Sequence, residues 1–287
     1  MKPTALSPQR VLAWTVLTMV AFAANSLLTR AALVDTSIDA ASFTGLRLVS
    51  GAMVLWVLVA LRGAKGGSGT GSWTSALALF AYAAAFSLAY VSLPASTGAL
   101  LLFGAVQATM IGYGLSKGER FRAIQWFGFA VAIAGLVLLL LPGLSAPPLA
   151  GSVLMLVSGV AWGVYSLRGR GTGDPIRVTA GNFLRSVPIT VGLSVLMIRH
   201  ASLDAPGAGY ALASGALTSG LGYAIWYTVL PALRATTAAT VQLSVPVIAA
   251  LGGVLLLGEP LTVRFLVASV AILGGIALVI GEKRGSN

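Results

Sequence analysis

The sequence predicts an all-α integral membrane protein with ten transmembrane helices, arranged as two inverted five-helix repeats. The first observation is composition: 57% of the 287 residues are hydrophobic, only 9% are charged, and the mean hydropathy is +0.93. A soluble domain of this length needs far more charged surface. The second is segment length, because the apolar runs approach the ~20 residues that a membrane-spanning helix needs. The third is an internal repeat.

The helices are placed in chain order from these apolar runs and from the turn residues between them. We expect helices at residues 11–31, 40–61, 73–91, 95–116, 123–141, 149–167, 176–198, 208–230, 235–257 and 261–281. The connections are short except for the Gly/Ser-rich segment from Arg62 to Ser72, which is typical of a flexible linker. An uncharged segment from Leu141 to Pro148 joins the two halves.

The last five segments repeat features of the first five at an offset near 140 residues. The segment Val20–Ser26 corresponds to Val160–Ser166, and the pair Gly118-Glu119 corresponds to Gly258-Glu259. Five is an odd number, so the second copy must enter the bilayer from the opposite side. We therefore divide the chain into a first repeat, residues 10–141, and an inverted second repeat, residues 149–281. Two inverted halves around a midplane cavity are typical of secondary transporters.

The distribution of Lys and Arg predicts the orientation. With the N-terminus in the cytoplasm, 13 of the 18 basic residues fall on the cytoplasmic side, and only Arg30, Arg199 and Arg264 fall outside. The positive-inside rule then predicts a multi-pass protein whose N- and C-termini are both cytoplasmic. The net charge of +11 is explained by topology, so we expect the lipid bilayer as a partner and no nucleic acid.

Several classes of function are excluded by residues that the chain lacks. It has no cysteine, and its one histidine, His200, falls in a predicted loop, so we expect no metal site and no cofactor. An intramembrane protease needs a buried nucleophile and base or paired aspartates, and neither is present, so we do not expect an enzyme. The glycine-rich segment at residues 66–71 lacks the Gly-Lys-Ser/Thr ending of a phosphate-binding loop. No repeated loop resembles an ion filter.

All seven acidic residues fall in loops or at helix ends. Proton-coupled pumps usually carry an acid or a histidine within a span. The sequence therefore favours facilitative transport or exchange without carboxylate-based proton coupling.

Uncharged polar and aromatic residues at mid-depth are the candidate substrate-binding residues. They can supply hydrogen bonds to an amino acid and an apolar wall for its side chain, and the rings attract ammonium groups. Tyr223 and Tyr227 share a helix face, whereas Trp226 and Tyr227 point about 100° apart and are not expected to face one cavity directly. Polar groups at this depth also hold helices together. The candidates are Asn25, Tyr82, Gln107, Trp162, Tyr165, Tyr223, Tyr227, Gln242 and Ser244.

A structural and a functional explanation are both open for the two arginines within spans and for one proline. Arg47 and Arg185 are the charges within spans, and their matched positions favour a structural role over attraction of a substrate carboxylate. Pro246, in the middle of the ninth predicted helix, is our candidate hinge, with a static kink as the alternative.

Gly118 and Gly258 are expected to end helices, and the glutamates after them to stabilise the next helix N-terminus. Tyr90 and Trp73, near helix ends, are expected in the aromatic belt at the membrane surface.

These motifs together resemble the drug/metabolite transporter superfamily with EamA-type repeats. The resemblance rests on Phe43-x-x-Leu46-Arg47, Phe183-Leu184-Arg185, the two Gly-Glu pairs and Pro246, although Val106 stands where the first repeat would have the matching proline. Within the superfamily the chain is most similar to exporters of the YddG type, which transport aromatic amino acids.

The resemblance implies a carrier of the bacterial inner (plasma) membrane that exports amino acids, including aromatic and neutral ones, and similar small metabolites by alternating access. It implies a cavity lined by helices one, three, four, six, eight and nine, with helices five and ten outside. Small residues at Gly128-x-x-x-Ala132 and Ala271-x-x-x-Gly275 favour packing within the bundle over a dimer seam, so we expect a monomer or weak dimer. The alternative is a proton-coupled exporter of drugs or other metabolites.

Overall fold

A computed structural model describes residues 7–63, 70–118, 120–143, 146–169, 174–233 and 235–281, without the side chains of residues 235–237, 239 and 281. Within these ranges the chain forms ten helices. Part of the predicted Arg62–Ser72 linker and all of Glu119 lie outside the described residues. The helices are α1 (Pro8–Asp35), α2 (Ala40–Leu61), α3 (Trp73–Tyr90), α4 (Ala95–Ser116), α5 (Ala123–Leu140), α6 (Leu149–Arg168), α7 (Pro175–Leu196), α8 (residues 205–229), α9 (residues 235–257) and α10 (Val263–Gly281).

Two of the ten helices are segmented, which the sequence did not predict. Helix α8 comprises α-helical segments Ala205–Ala213 and Gly222–Val229, with a π-helical segment, Ser214–Leu221, between them. Helix α9 comprises Ala235–Gln242 and Ser244–Leu257, with its break at Leu243. Pro246 therefore lies in the first turn of the second segment, where a helix needs no N–H, and not in the middle of one long helix.

Eight helices in the described part of the chain are long and apolar enough to cross a membrane: α1 to α6, α10, and residues 240–257 of α9. Large apolar side chains such as Phe127 and Val270 are exposed on the outside of the bundle, as expected for contact with lipid acyl chains. Many hydroxyls inside the spans donate to the carbonyl one turn earlier, as Thr44 does to Ala40 at 2.7 Å, which satisfies them without water. The fold is that of a multi-pass membrane protein.

The helix pairing places α5 and α10 together at one side of the bundle, as the resemblance implied. Helix α3 packs on α6 and α7, α1 packs on α8 and α9, α2 packs on α7 and α8, and α4 packs on α6 and α9. The main hydrophobic core contains buried residues from all ten helices, with Phe86, Tyr90, Leu101 and Met155 fully buried in it.

One loop contact ties two helix connections together at the end of the bundle where α2 begins. The Asp39 carboxylate accepts hydrogen bonds from the N–H groups of Ala41 at 2.8 Å and Ser42 at 3.0 Å, and from the N–H of Ser202 at 2.9 Å. Burial by itself would raise the pKa of Asp39, but these hydrogen bonds to the charged form outweigh it and hold the pKa below its ordinary value. Asp39 thus caps α2 and fastens it to the connection between α7 and α8.

The α5–α10 contact depends on glycines, as the small-residue spacings predicted. A Cβ atom on Gly275 would collide with the backbone of Gly128 and would lie 2.7 Å from the amide nitrogen of Ala132. A Cβ atom on the neighbouring Gly274 would meet nothing within 4 Å. These residues therefore let two helix backbones approach closely within one bundle.

We expect Gly275→Ala to destabilise the purified protein by about 1–3 kcal/mol, because the added methyl group forces two backbones apart. Gly274→Ala, one residue earlier, is the matched control and should be neutral or slightly stabilising, because alanine favours a helix. Thermal unfolding in detergent would measure both. Equal melting temperatures for the two variants would contradict this account of the contact.

Candidate functional site

A large cavity opens at the end of the bundle where α1, α3, α7 and α9 begin and where α4, α6 and α8 end. We call this end the cavity face. The cavity has a volume of about 450 Å³, within the range of small-molecule sites. Among the described residues its lining carries no charged side chain. The lining residues are Phe22, Met110, Trp162, Ser166, Gly169, Pro175, Tyr223, Trp226, Tyr227, Leu230, Pro231, Leu233, Ala238 and Gln242.

Aromatic rings from three helices form the inner end of the cavity. The ring centroid of Trp162 on α6 lies 5.0 Å from that of Tyr223 on α8, and Phe22 on α1 meets Tyr223 edge-on at 5.8 Å. Tyr223 and Tyr227 both line the cavity, as expected from their spacing. The expectation that Trp226 and Tyr227 cannot share a cavity was wrong, because this cavity is wide enough to be bordered by two adjacent faces of one helix.

Beyond these rings lies a small inner pocket of about 20 Å³, with room for a water-sized group but not for a whole amino acid. Phe22, Trp162 and Tyr223 line both spaces and so form the boundary between them. Residues of α1, α3, α4, α6 and α8 surround the pocket. The lining residues are Phe22, Asn25, Tyr82, Phe86, Leu102, Phe103, Trp162, Thr218 and Tyr223.

Tyr82 is the centre of a buried hydrogen-bond network at this pocket. Its hydroxyl accepts from Arg47 Nη2 at 2.7 Å and from Asn25 Nδ2 at 3.2 Å. The π-helical segment of α8 completes the network, because Ser214 and Thr218 donate to Asn25 Oδ1 at 2.7 and 3.1 Å. Sequence reasoning missed the α8 hydroxyls, although the Ser/Thr-containing run at residues 214–219 was a visible sign of polar groups inside an apolar span.

The two arginines within spans have different environments despite their matched sequence positions. Arg47 is 1% exposed and lies among α2, α3 and α8. Arg185 is partly exposed, and its Nη1 donates to the carbonyls of Thr70 and Gly181. Arg185 therefore has the structural role that we expected of both, whereas Arg47 joins the network at the inner pocket.

Three candidate residues do not line either space. Gln107 is buried on α4 between the turns that carry Phe103 and Met110. Tyr165 lies one layer behind, stacked on Trp162 with a centroid distance of 5.4 Å. Ser244 donates its hydroxyl to the carbonyl of Val241 at 2.6 Å, at the break in α9. The other six candidates, Asn25, Tyr82, Trp162, Tyr223, Tyr227 and Gln242, line the cavity or the pocket.

The opposite end of the bundle, which we call the sealed face, is closed by a charged cluster. Arg30 near the end of α1 donates from Nη1 to the carbonyl of Tyr90 at 2.9 Å, and its Nε lies 3.4 Å from Glu259 Oε1. Both carboxylate oxygens of Glu259 accept from the N–H of Ala95, at 2.8 and 2.9 Å. The Arg30–Glu259 pair therefore joins the ends of α1, α3 and α9 to the start of α4.

This cluster corrects two expectations. Glu259 does stabilise a helix N-terminus, but it is that of α4 and not that of the following helix, because the chain turns at Gly258 toward the first repeat. Gly258 has φ of +63° and Gly118 has φ of +90°, which agrees with their predicted role in ending helices. Tyr90 is fully buried beneath the cluster and packs edge-on against Phe86, so its placement in the surface belt was wrong, whereas Trp73 is exposed near a helix start.

Comparison with known proteins identifies relatives of this chain. Residues 149–281 match the model of the EamA-like transporter family. An uncharacterized protein of Pseudomonas aeruginosa is 58% identical over 96% of both chains. The threonine/homoserine exporter RhtA of Salmonella typhimurium is 31% identical over 53% of both chains.

Two further matches extend the comparison. An uncharacterized transporter of Archaeoglobus fulgidus is 31% identical over 58% of this chain and 60% of its own. One solved crystal structure covers 96% of this chain and 99% of its own with a TM-score of 0.66 at 19% identity, which shows a shared fold.

We expect Glu259→Gln to loosen the sealed face, because the neutral amide loses the ion pair to Arg30 and one charged acceptor for the α4 N-terminus. The natural absence of cysteine allows a single reporter, Ser26→Cys, placed at a buried position one turn before Arg30. Loss of a charge-assisted interaction of about 1.5 kcal/mol would raise its rate of modification by a charged thiol reagent roughly tenfold. Asp35→Asn, an exposed acid at the same end of α1, is the control and should leave the rate unchanged. An unchanged rate with Glu259→Gln would show that the cluster does not hold this face closed.

Proposed function

We propose that this chain, whose residues 149–281 match the model of the EamA-like transporter family, is a secondary transporter that exports amino acids and similar small metabolites. The observation that carries the proposal is a cavity of about 450 Å³ that is open at one face while a charged cluster closes the other. This is the arrangement expected of one state of an alternating-access cycle. We place the protein in the bacterial inner membrane.

The proposed direction of the cavity follows from charge. The described basic residues at the cavity face include Arg10, Arg62, Lys117, Arg168 and Arg177, and those near the sealed face are Arg30, Arg199 and Arg264. The positive-inside rule assigns the cavity face to the cytoplasm. A cavity open to the cytoplasm suits the loading step of an exporter.

Helix pairing supports the two inverted repeats. The repeat relates each helix of the first half to the helix five places later, so that α1 corresponds to α6 and α3 to α8. Under this exchange the α3–α6 pair becomes the α8–α1 pair. The pairs α2–α7, α4–α9 and α5–α10 each map onto themselves. All of these pairs are in contact. In a cycle built on this symmetry the second repeat's contacts at the sealed face would alternate with equivalent contacts of the first repeat at the cavity face. The hypothesis also assigns Pro246, beside the break in α9, to the hinge.

The sequence repeat makes this hypothesis specific. Glu119 stands 140 residues before Glu259, and Arg170 stands 140 residues after Arg30. Glu119 and Arg170 both lie outside the described residues. If the repeats exchange roles, Glu119→Gln should favour the state that is open at the cavity face, the reverse of the effect of Glu259→Gln. The Ser26→Cys reporter would then be modified no faster than in its parent, whereas a faster rate would contradict the exchange.

The composition of the cavity supports amino acids as substrates. Ser166 and Gln242 offer hydrogen bonds, and the rings of Trp162, Tyr223 and Trp226 offer an apolar wall that accepts different side chains. The similarity to a threonine/homoserine exporter points to the same class of substrate. The uncharged aromatic lining also suits apolar drugs, so a drug or other-metabolite exporter remains the second candidate.

The acidic residues within the described ranges favour facilitative transport. Asp35, Asp39, Asp174, Asp204 and Glu259 lie at helix ends or in connections, and none lines the cavity or the inner pocket. A proton-coupled exporter of this design would need a titratable group that both substrate and proton reach. We therefore propose that the substrate gradient sets the direction of transport.

We expect reconstituted protein to take up radiolabelled threonine, homoserine or aromatic amino acids into liposomes saturably, and at the same rate with and without a pH gradient. Gln242→Ala should raise KM roughly tenfold, the effect of losing about 1.4 kcal/mol of polar contacts in the cavity. Ser269→Ala, on the peripheral helix α10, is the control and should leave uptake unchanged. Accumulation that requires a pH gradient would overturn the coupling hypothesis, and drug transport without amino-acid uptake would favour the second candidate.

A further inference from the structure

Arg47 is a buried cation without a buried anion. The ion pairs found among the described residues join Arg30 to Glu259 and Arg177 to Asp174, and neither includes Arg47. Its guanidinium is held by the Tyr82 hydroxyl at 2.7 Å and the Ser219 hydroxyl at 3.3 Å, and it lies about 5 Å from the ring centroids of Tyr82 and Phe86. Its Nη1 is buried with no hydrogen-bond partner. Such a charge is costly within a membrane protein, and a charge retained at that cost indicates a function.

The hydrogen bonds around Tyr82 determine what this cation presents to the inner pocket. Asn25 Oδ1 accepts from the Ser214 hydroxyl at 2.7 Å, and its Nδ2 donates to the Tyr82 hydroxyl at 3.2 Å. The Tyr82 oxygen then accepts two N–H groups, from Asn25 and Arg47, and both of its lone pairs are used. Its own O–H is left for the neighbouring Tyr223 hydroxyl, and both tyrosines line the pocket. The pocket therefore contains a pair of linked hydroxyls with a cation behind them.

A donor of this kind selects for negative charge in the ligand. A carboxylate gains both the hydrogen bond and the attraction of Arg47 across a medium of low polarity. A primary amide offers the same acceptor geometry without the charge, and an ammonium group is repelled. Tyr223, which lines the same pocket and interacts with Tyr82, is placed to provide a second hydroxyl.

We propose that the inner pocket is a carboxylate-binding subsite, in which the neighbouring Tyr82 and Tyr223 hydroxyls donate to the substrate carboxylate and Arg47 acts as a positioning residue behind them. This assignment rests on the proposed function and deepens it. The small pocket takes only the head group, so the rest of the substrate lies in the larger cavity beyond Trp162 and Tyr223. The substrates would then share a carboxylate and differ in the side chain.

The first test uses the unaltered protein and paired ligands. L-Threonine with L-threoninamide, and L-phenylalanine with L-phenylalaninamide, differ at the carboxylate and keep the side chain. Binding to purified protein is followed by tryptophan fluorescence, since Trp162 borders the pocket. We expect each acid to bind at least about tenfold more tightly than its amide. Equal affinities within both pairs, or no binding by either acid, would overturn the subsite.

The second test asks whether Arg47 causes the preference. Arg47→Gln should reduce the acid-to-amide affinity ratio to near one, and Arg47→Lys should restore part of it, because lysine keeps the charge. The ratio is the readout because general damage to the fold weakens both ligands together. Ser158→Ala, which removes a buried hydrogen bond to the main-chain carbonyl of Tyr82, is the matched control and should keep the wild-type ratio.

If Arg47→Gln does not fold, Tyr82→Phe removes the donor and keeps the ring, and it should lower the ratio in the same way. A wild-type ratio in a folded Arg47→Gln or Tyr82→Phe protein would overturn the assignment. The flux experiment separates the two proposals. Transport of amino acids without a carboxylate preference would support the proposed function and overturn the subsite. A clear carboxylate preference in binding without transport would support the subsite and overturn the transport proposal.

Discussion

The interior of this protein depends on one polar network in which side chains satisfy most of one another's hydrogen-bonding groups without water. In a hydrocarbon surrounding, an unpaired polar group has no solvent to satisfy it. Asn25, Arg47 and Tyr82 bring one polar side chain each from α1, α2 and α3, and α8 supplies three hydroxyls. These hydrogen bonds join α1 and α2 each to α3 and to α8, so separating any of these four pairs leaves a donor or acceptor unpaired. The network therefore holds the four helices together around the inner pocket.

The two faces of the bundle are closed by different forces. At the sealed face one carboxylate, Glu259, accepts hydrogen bonds at the start of α4 and pairs with Arg30. These interactions are directional, and they all depend on the position of the Glu259 carboxylate. If that carboxylate moves away, they are lost together and three helix ends are released at once. At the cavity face the described lining is apolar and aromatic, and such contacts form and separate without a fixed geometry. Opening the sealed face would therefore require an ion pair and charge-assisted hydrogen bonds to break, whereas the cavity face presents no such contact among its described lining residues.

Much of the helix layout could be predicted from sequence because bilayer thickness limits the lengths. All ten helices begin and end within four residues of their predicted bounds, although α8 and α9 are segmented, and six of nine candidate site residues line the cavity or the pocket. The π-helical segment of α8 and the break at Leu243 could not be predicted, because both arise from small changes in main-chain hydrogen bonding that composition does not encode. The contact of Glu259 with Ala95 spans 164 residues and depends on tertiary packing alone. Tyr90 was misplaced for the same reason, since its position near a helix end suggested the membrane surface although α4 covers it.

Arg47 and Arg185 occupy matched positions in the sequence but have different surroundings in the structure. Both follow a phenylalanine and a leucine at equivalent points of the two halves, and a symmetric fold would give them equal surroundings. Arg185 instead has main-chain carbonyls within reach, from its own helix and from Thr70, so its charge is satisfied by structure. Arg47 faces the π-helical segment, whose hydroxyls and neighbouring phenol satisfy only part of its guanidinium. Within the described part of the chain, Arg47 is thus a buried charge with an unpaired donor beside the π-helical segment, and this feature distinguishes the inner pocket from a simple gap between packed helices.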